Sequence, residues 1–240
     1  MILQSLVGYY QREAKDPESG IAPFGLEKKE IKFVIEIDEN GKFINFKDTR
    51  SGGKTGQIFL LPKMVSRQSN VVANLLWDNA SYLLGYSKKM SDKDALHLAA
   101  FIEKIRALPE EIKNDRGVSA VLKFYDNGEM KKVFEHPNWQ ECQKIASCNI
   151  SFQLKGDSCL VPERETTRAW IETHADSSGA EGEVQGRCLV TGDFGPIART
   201  HSKFSVGGQQ AALVSFQVNS GYDSYGKEQG YNAPVTEKAE

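Results

Sequence analysis

The sequence has few cysteines and histidines, the residues that most often bind zinc. Its 240 residues include four cysteines and four histidines, and no two of the cysteines have the CxxC spacing of a zinc site. It also lacks any run of the roughly 18 consecutive apolar residues that a membrane span needs, and it has no positively charged leader before the apolar residues at its start. These absences predict a cytoplasmic protein with reduced cysteines, without a metal or other cofactor, and without a membrane partner.

A recognisable catalytic motif is also missing. His174 with Asp176, and Cys188 with His201, are the nearest approaches to a catalytic pair, but neither has a catalytic sequence around it. Residues 49–56 are rich in glycine and include a lysine, yet they lack the first glycine and the four-residue spacer of a Walker motif. We therefore expect no enzymatic activity, and we expect Cys188 to lie in a core.

The chain has little excess charge of either sign. It carries 30 Lys and Arg residues against 32 Asp and Glu residues, for a formal net charge of -2. Because duplex DNA is bound mainly by neutralising its phosphates, a DNA-binding surface on this chain must be local. Residues 42–70 contain six cations and a single carboxylate, that of Asp48. This segment predicts a cationic patch, although such a run is also typical of an ordinary solvated surface.

Apolar periodicity predicts both helices and strands in the first 175 residues. Apolar residues at three- and four-residue spacing predict helices over residues 2–13, 71–84, 91–108, 137–146 and 163–172. Alternating or short apolar runs predict strands over residues 31–37, 43–46, 57–61 and 150–154. The Asn40-Gly41 turn predicts a hairpin, and Asp126-Asn127-Gly128 predicts a second hairpin between residues 118–125 and 130–134. The first helix is expected to pack.

The pattern changes after an exposed loop predicted at residues 176–183. Short strands are expected over residues 187–190, 197–199 and 213–216, with connections rich in glycine. We predict an α+β fold in which antiparallel hairpins or a sheet pack with several helices, followed by a small β-rich C-terminal unit. The expected domains are residues 1–175 and residues 184–240, and the second could also be part of the first.

A basic, amide-rich turn precedes the helix predicted at residues 71–84. Arg67 offers a guanidinium to phosphates, while Gln68 and Asn70 offer amides that can pair with a base edge. The same interface would include Lys63, Ser69 and Asn74, the last one helical turn from Asn70. The same residues are also typical of a solvated loop with a helix cap, so that alternative interpretation stays open. Trp77 and Asp78, expected inside the helix, are assigned to structure.

A second cluster lies in the glycine-rich C-terminal part. It combines the cations Arg199 and Lys203 with two glycines and two glutamines, Gly207, Gly208, Gln209 and Gln210. Glycines allow a backbone to approach DNA closely, and a glutamine can pair with a base edge or enter between base pairs. A flexible loop between two strands is the alternative.

Several ordered motifs resemble one family along the whole chain. They are Ile2-Leu-Gln-Ser-Leu-Val-Gly-Tyr-Tyr10, Ala22-Pro-Phe-Gly25, Asn74-Leu-Leu-Trp-Asp-Asn79, Cys188-Leu-Val-Thr-Gly192 with Pro196-Ile-Ala-Arg199, Ala212-Leu-Val-Ser-Phe216 and Ser224-Tyr-Gly-Lys-Glu-Gln-Gly-Tyr-Asn-Ala-Pro-Val235. Together they resemble the large subunit of subtype I-C CRISPR surveillance (Cascade) complexes. Because members of that family continue further, the resemblance implies that this chain is an N-terminal fragment.

The resemblance implies a function in antiviral defence. The family's large subunit recognises the protospacer-adjacent motif on duplex DNA and helps to open the duplex for the guide RNA, without cutting chemistry. Here it would read the motif through residues 63–74, with phosphates held by Arg50, Lys54 and Arg199. Related large subunits place a glycine-rich loop and a glutamine wedge at the reading site, so residues 207–210 enter by analogy.

The resemblance also implies partners, which are the other Cascade subunits, the guide RNA and the duplex bearing the motif. An acidic, DNA-mimicking anti-CRISPR protein would suit the same cationic surface. Two alternatives stay open. One is a scaffold whose aromatic residues only make core and subunit contacts. The other, which the sequence favours less, is a nuclease.

Overall fold

The computed structural model of the protein describes residues 2–16, 18–52, 54–65, 67, 71–89, 91–174, 184–212 and 227–239. The chain forms two units, one of residues 25–172 and one that combines residues 1–24 with residues 173–240. Helices and strands are mixed in the α+β manner predicted from the sequence. The predicted division into residues 1–175 and 184–240 stays a prediction.

Eight α-helices and ten strands are defined in the described part of the chain. The helices are α1 (Ile2–Glu13), α2 (Ala80–Leu83), α3 (Asp92–Arg106), α4 (Glu110–Lys113), α5 (Arg116–Asp126), α6 (Met130–Glu135), α7 (Pro137–Gln143) and α8 (Glu165–His174). The strands are β1 (Leu26–Ile31), β2 (Phe33–Ile37), β3 (Phe43–Asp48), β4 (Gln57–Pro62), β5 (Trp77–Asn79), β6 (Asn149–Leu154), β7 (Gln185–Arg187), β8 (Phe194–Pro196), β9 (Lys203–Val206) and β10 (Gln209–Ala212). Short 3-10 turns follow at Val161–Glu163, Gln229–Asn232 and Glu237–Ala239.

A four-stranded sheet in the order β3-β2-β6-β5 forms the centre of the 25–172 unit. The β2–β3 hairpin predicted at Asn40-Gly41 is present, and β2 also pairs with β6 in parallel. Phe33, Ile35 and Ile37 point to the main core, while Val34 joins a smaller cluster on the other face. Strand β2 is therefore covered on both faces, and this explains its nearly continuous apolar sequence.

Strands β1 and β4 form a separate antiparallel pair. Ile31 and Leu61, one from each strand, pack with Val34 and the Trp77 ring in the smaller cluster. Strand β4 ends at Pro62, as predicted from the sequence. This pair places the start of the following loop directly beside the central sheet.

The helix predicted over residues 91–108 is confirmed as α3. At its N-terminus the Ser91 N–H donates to the Asp94 carboxylate at 2.9 Å, and the Asp94 N–H donates to the Ser91 carbonyl at 2.9 Å. Strand β6 and helices α7 and α8 are also found where the periodicity predicted them.

The hairpin predicted between residues 118 and 134 is wrong, because the chain forms α5 and α6 there. Asp115 caps α5 by accepting from the N–H groups of Gly117 and Val118. Val118, Val121 and Phe124 then recur at helical spacing and are fully buried. The Asp-Asn-Gly sequence ends a helix instead of turning a hairpin, and Gly128 there has a φ of 68°.

The helix predicted over residues 71–84 is also wrong. Residues 71–76 are irregular, 77–79 form β5, and only residues 80–83 are helical. Leu76 has a φ of 62°, which interrupts any helix, and its side chain is fully buried. Trp77 and Asp78 therefore lie in a strand, although both are buried structural residues as expected.

The other unit contains α1 and two β-hairpins, β7–β8 and β9–β10. Helix α1 has its predicted limits, but none of its residues is buried, and Ile2 and Leu6 are mostly exposed. Its expected packing is therefore only partial. The strands predicted at 187–190 and 197–199 are displaced toward the N-terminus as β7 and β8, and the strand predicted at 213–216 lies outside the described residues.

Candidate nucleic-acid interface

The chain from residue 63 to residue 76, called here the 63–76 loop, leaves β4 and returns to β5 with its two ends close together. The Trp77 indole Nε1 donates to the Pro62 carbonyl at 2.9 Å, and the Lys63 N–H donates to the Gly25 carbonyl at 2.8 Å. A loop of this length with adjacent ends has the form of an Ω-loop. The two strands therefore hold its base in place.

Side chains of the loop tie its two arms to each other. The Asn74 Oδ1 accepts from the Val65 N–H at 3.0 Å, and the Arg67 Nε donates to the Val72 carbonyl at 2.7 Å. The Arg67 guanidinium also pairs with the Asp78 carboxylate, which accepts from the Asn74 N–H at 2.8 Å. Asp78 is 1% exposed, so this pair forms in a water-poor setting.

The inner side of the loop is held by the surrounding helices and strands. The Arg67 guanidinium lies 4.0 Å from the centre of the Tyr82 ring, which in turn stacks on His97. The Lys104 Nζ donates to the Ala73 carbonyl at 2.7 Å, and burial lowers the pKa of Lys104. The Ser151 hydroxyl donates to the Leu76 carbonyl at 3.0 Å. The described part of the loop is thus braced from both sides.

The residues predicted to read DNA in this loop have different placements. Gln68, Ser69 and Asn70 lie outside the described residues. Lys63 is exposed, whereas Asn74 is 2% exposed and lies in no helix, so its expected position one turn from Asn70 is wrong. Arg67, predicted to contact phosphates, is engaged by Asp78 and Tyr82.

Arg50 and Lys54, predicted to hold phosphates, differ in their exposure. The Arg50 side chain is 8% exposed, lies over the Phe33 ring and donates to both oxygens of Asp48. Those hydrogen bonds lower the pKa of Asp48. Lys54 is exposed in the connection between β3 and β4. Of the two, Lys54 is the cation that the surface presents.

The second predicted cluster forms the β9–β10 hairpin and the chain just before it. Gly207 and Gly208 form its two-residue turn, with φ values of 57° and 81° that suit a type I′ turn. A Cβ at either glycine would have no neighbouring atom within 4 Å, so the turn is open on both sides. Lys203 and Gln209 are exposed, and the backbone of Gln210 pairs with that of Ser205.

Arg199 lies outside this hairpin and is engaged by its neighbours. Its Nε donates to the Gln229 Oε1 at 3.0 Å, and its guanidinium is 3.8 Å from the Glu228 carboxylate. The side chain nevertheless remains 62% exposed. It is therefore held in place at the surface.

Reasoning from the sequence did not identify the residues outside the 63–76 loop that brace it. Lys104 and Ser151 carry no motif and are distant in sequence from the loop, so nothing in the sequence associates them with it. Trp77 and Asp78 gave a signal, since both lie in the Asn74–Asn79 motif that carries the family resemblance.

The cysteines occupy structural positions. Cys142, Cys148 and Cys188 are buried, and no cysteine among the described residues forms a disulfide. Burial would raise the pKa of Cys188, but hydrogen bonds from the backbone N–H and hydroxyl groups of Thr191 and Thr236 lower it to about 7. Within the described ranges, no group of three or more His, Cys, Asp or Glu side chains is placed to hold a metal ion.

A family model described as CRISPR-associated protein (Cas_Csd1) matches residues 6–240. No curated protein matches the chain. None of the described helices is long and apolar enough to cross a membrane.

Proposed function

Because the chain belongs to the Cas_Csd1 family of CRISPR-associated proteins, we propose that it recognises the protospacer-adjacent motif on duplex DNA and helps to open that duplex for the guide RNA. Membership of the family gives the chain a role in CRISPR defence. Within that role, we assign it to the large subunit of a subtype I-C Cascade complex. Its partners would be the other subunits, the guide RNA and the duplex.

The braced 63–76 loop is the observation that carries this proposal. Base edges are read by amide or guanidinium groups whose positions are fixed before binding, and each well-formed bidentate pair discriminates by about 1 to 3 kcal/mol. The hydrogen bonds of Asn74, Arg67 and Asp78 fix the two arms on either side of residues 68–70. Gln68 and Asn70 would supply the amides, and Arg67 would position them.

Phosphate contacts would come from the cations that folding leaves exposed. Lys63 lies at the base of the 63–76 loop, Lys54 lies in the β3–β4 connection, and Lys203 lies at the start of β9. Lysine neutralises a phosphate as a point charge without needing a fixed geometry. Arg50, which is paired with Asp48 and nearly buried, would support the surface from below.

The β9–β10 turn would also contact the duplex. Its Gly207-Gly208 backbone has no neighbouring atoms that would obstruct a close approach to DNA. Gln209, exposed directly after the turn, would contact a base edge or separate neighbouring pairs. Binding there would strain the duplex, and guide pairing would supply the remaining sequence specificity.

We propose no cutting chemistry for this chain. The cysteine of the Cys188–His201 pair is buried among threonines, and Asp176 of the His174–Asp176 pair lies outside the described residues. A labelled target duplex incubated with the assembled complex and a divalent metal should stay intact. Specific cleavage that a change in this chain removes would favour the nuclease alternative.

The decisive experiment measures motif preference in the assembled complex. Target duplexes with a correct or a scrambled adjacent motif are titrated against wild type and a Gln68→Ala, Asn70→Ala variant. The variant should lose motif preference by about tenfold or more, since two amide contacts are removed. A matched control is Asn114→Ala, Gln140→Ala, which removes two exposed amides on α7 and at the end of α4.

Two results would count against the proposal. If the Gln68→Ala, Asn70→Ala variant assembles normally and keeps its motif preference, the 63–76 loop does not read the motif, and residues 207–210 become the next candidates. A wild-type complex with no preference between the two duplexes would remove motif recognition altogether and favour a scaffold. An acidic anti-CRISPR protein that competes with the duplex should bind wild type and fail to bind variants of the exposed lysines.

A further inference from the structure

The β7–β8 hairpin presents an unusual set of side chains on one face. Its antiparallel register pairs Arg187 with Phe194, Gly186 with Gly195 and Gln185 with Pro196. Residues opposite each other in such a pair project to the same face, and successive residues along a strand alternate between faces. Gln185, Arg187, Phe194 and Pro196 therefore share one face, and the two glycines share the other.

The glycine face is the packed one. A Cβ added to Gly186 would lie 3.1 Å from the Ile197 Cγ1, and one added to Gly195 would lie 3.4 Å from the Thr236 Cγ2. Ile197 and Thr236 are themselves 3% and 6% exposed. Because glycine allows the backbone to approach these residues closely, the hairpin is held firmly from behind.

The opposite face is exposed. The Phe194 side chain is 72% exposed, the largest exposure of any aromatic residue among those described. Arg187 lies across the strand from it and is also exposed, and its Nη1 donates to the Gly192 carbonyl at 2.7 Å. An aromatic ring exposed in this way contributes little to folding, so it and the adjacent guanidinium are available to a ligand.

We infer that this outer face, formed by Gln185, Arg187 and Phe194, is a stacking platform for unpaired nucleotides. Aromatic rings and guanidinium planes stack on bases of any sequence, and an amide such as that of Gln185 bonds to their edges. Residues 184–212 carry three cations, Arg187, Arg199 and Lys203, against the one carboxylate of Asp193, and in the described part of the chain only Arg199 of the three is paired with a carboxylate from outside this segment, that of Glu228. That balance complements a phosphate backbone, whereas the whole chain has a formal charge of -2.

The inference rests on the proposed function, because opening a duplex releases an unpaired strand that needs a binding surface. A neighbouring protein subunit is the competing occupant, since phenylalanine and arginine also serve as anchors in protein interfaces. The two occupants make different demands on residue 194. A protein pocket accepts an aliphatic side chain of similar size, whereas base stacking requires an aromatic ring.

The test uses the assembled complex and a fluorescently labelled oligo-dT strand as the probe. Phe194→Ala and Phe194→Leu should each weaken binding of the strand by at least about fivefold, which is the lower end of the range for loss of one stacked base. Phe194→Trp should restore it to the wild-type level. Arg187→Ala should also weaken binding, and Tyr9→Ala, which removes an exposed aromatic residue of α1, is the matched control.

Three outcomes would overturn the platform. The first two are wild-type binding of oligo-dT by Phe194→Ala or by Phe194→Leu. The third is a failure of the complex to assemble with Phe194→Ala but normal assembly with Phe194→Leu, which would assign the face to a protein subunit. Motif preference measured on the same complexes separates this inference from the proposed function. If the Gln68→Ala, Asn70→Ala variant loses preference while Phe194→Ala binds oligo-dT normally, only the platform fails.

Discussion

At the scale of single residues, the Asp78 carboxylate connects the two arms of the 63–76 loop. It pairs with the Arg67 guanidinium and accepts from the N–H groups of Asn74 and Asn79 at 2.8 Å each. A carboxylate that is 1% exposed has lost most of its contact with water, and these donors replace the hydrogen bonds that water would make. Asp78 therefore holds Arg67 and Asn74, one from each arm of the loop, beside β5.

Replacing Asp78 with Asn should destabilise the protein by about 3 kcal/mol, because the Arg67 charge loses its partner in a poorly solvated position. Urea unfolding of wild type and variant measures the difference. The control is Asp126→Asn in the exposed Arg106–Asp126 pair, which should change stability by no more than about 0.5 kcal/mol. Equal effects of the two substitutions would contradict the bracing role of Asp78.

The Cys188 thiol is a second residue whose surroundings determine its chemistry. Its pKa falls from an ordinary value of 9.0 to about 7, because donors from Thr191 and Thr236 favour the thiolate more than burial disfavours it. In the unfolded chain the thiol is half deprotonated only at its ordinary pKa of 9.0. The folded state therefore loses this proton first as the pH rises, and the thiolate stabilises the folded state.

This thiolate contribution should be fully present above about pH 9 and lost as the pH falls through 7. Thiolate absorbance at about 240 nm should rise with a midpoint near pH 7 in wild type, and this step should be missing in Cys188→Ser. The Cys148 thiol will not obscure the signal, because hydrogen bonding with Cys142 and burial raise its pKa. A wild-type midpoint above pH 8.5 would contradict the expectation.

At the scale of elements, helices with strong local signals could be predicted and those set by distant contacts could not. Helix α3 has Ser91 as its N-cap, with the Ser91 N–H bonded to the Asp94 carboxylate, and a sustained apolar stripe, so its local sequence is enough to predict the helix. Residues 71–84 also show helical spacing, but the buried Leu76 with positive φ and the Asp78 hydrogen bonds override it. The Ser151 hydroxyl and the Lys104 ammonium also donate to the Leu76 and Ala73 carbonyls, and local periodicity cannot connect these two residues to the loop.

The β2–β3 turn shows how closely one element can approach another. Gly41 has a φ of 76°, and a Cβ there would lie 2.6 Å from the Lys123 carbonyl carbon in α5. Gly128 has a similar φ of 68°, but a Cβ there would have no neighbour within 4 Å. Alanine substitutions at these two glycines therefore distinguish the free-energy cost of a strained backbone from that of a steric clash.

Gly128→Ala should destabilise the protein by about 1 to 2 kcal/mol through backbone strain alone. Gly41→Ala should lower the free energy of unfolding by that amount and by roughly a further 1 to 3 kcal/mol, because the hairpin must move away from α5. Midpoints of urea unfolding for the two variants measure the difference. If Gly41→Ala is no worse than Gly128→Ala, the turn does not pack against α5 as described.

At the scale of the whole molecule, folding decides which cations remain available to a nucleic acid. Residues 42–70 contain an excess of cations, but Arg50 and Arg67 pair with Asp48 and Asp78 in the folded chain. The location of the basic segment could thus be predicted, whereas the role of each cation could not. Pairing depends on which carboxylate is nearby in space, and composition contains no such information.

Lys54→Ala, Lys63→Ala should weaken duplex binding by the assembled complex and reduce the slope of log affinity against log salt concentration by about 1 to 2. Both lysines are exposed, so the change should leave stability within about 0.5 kcal/mol of wild type. The control, Lys131→Ala, Lys155→Ala, removes two exposed lysines elsewhere on the same unit. An equal loss of slope in the control would indicate general attraction instead of local contacts.

The parallel pairing of β2 with β6 affects how the protein folds during its synthesis. Phe33 pairs with Ile150, so the partners are 117 residues apart in the chain. At about 5 to 20 residues per second, β2 waits roughly 6 to 23 s on the ribosome before its partner is made. During that time its apolar strand is a target for chaperones, and synonymous codons that slow translation between the two strands should lower the yield of folded protein.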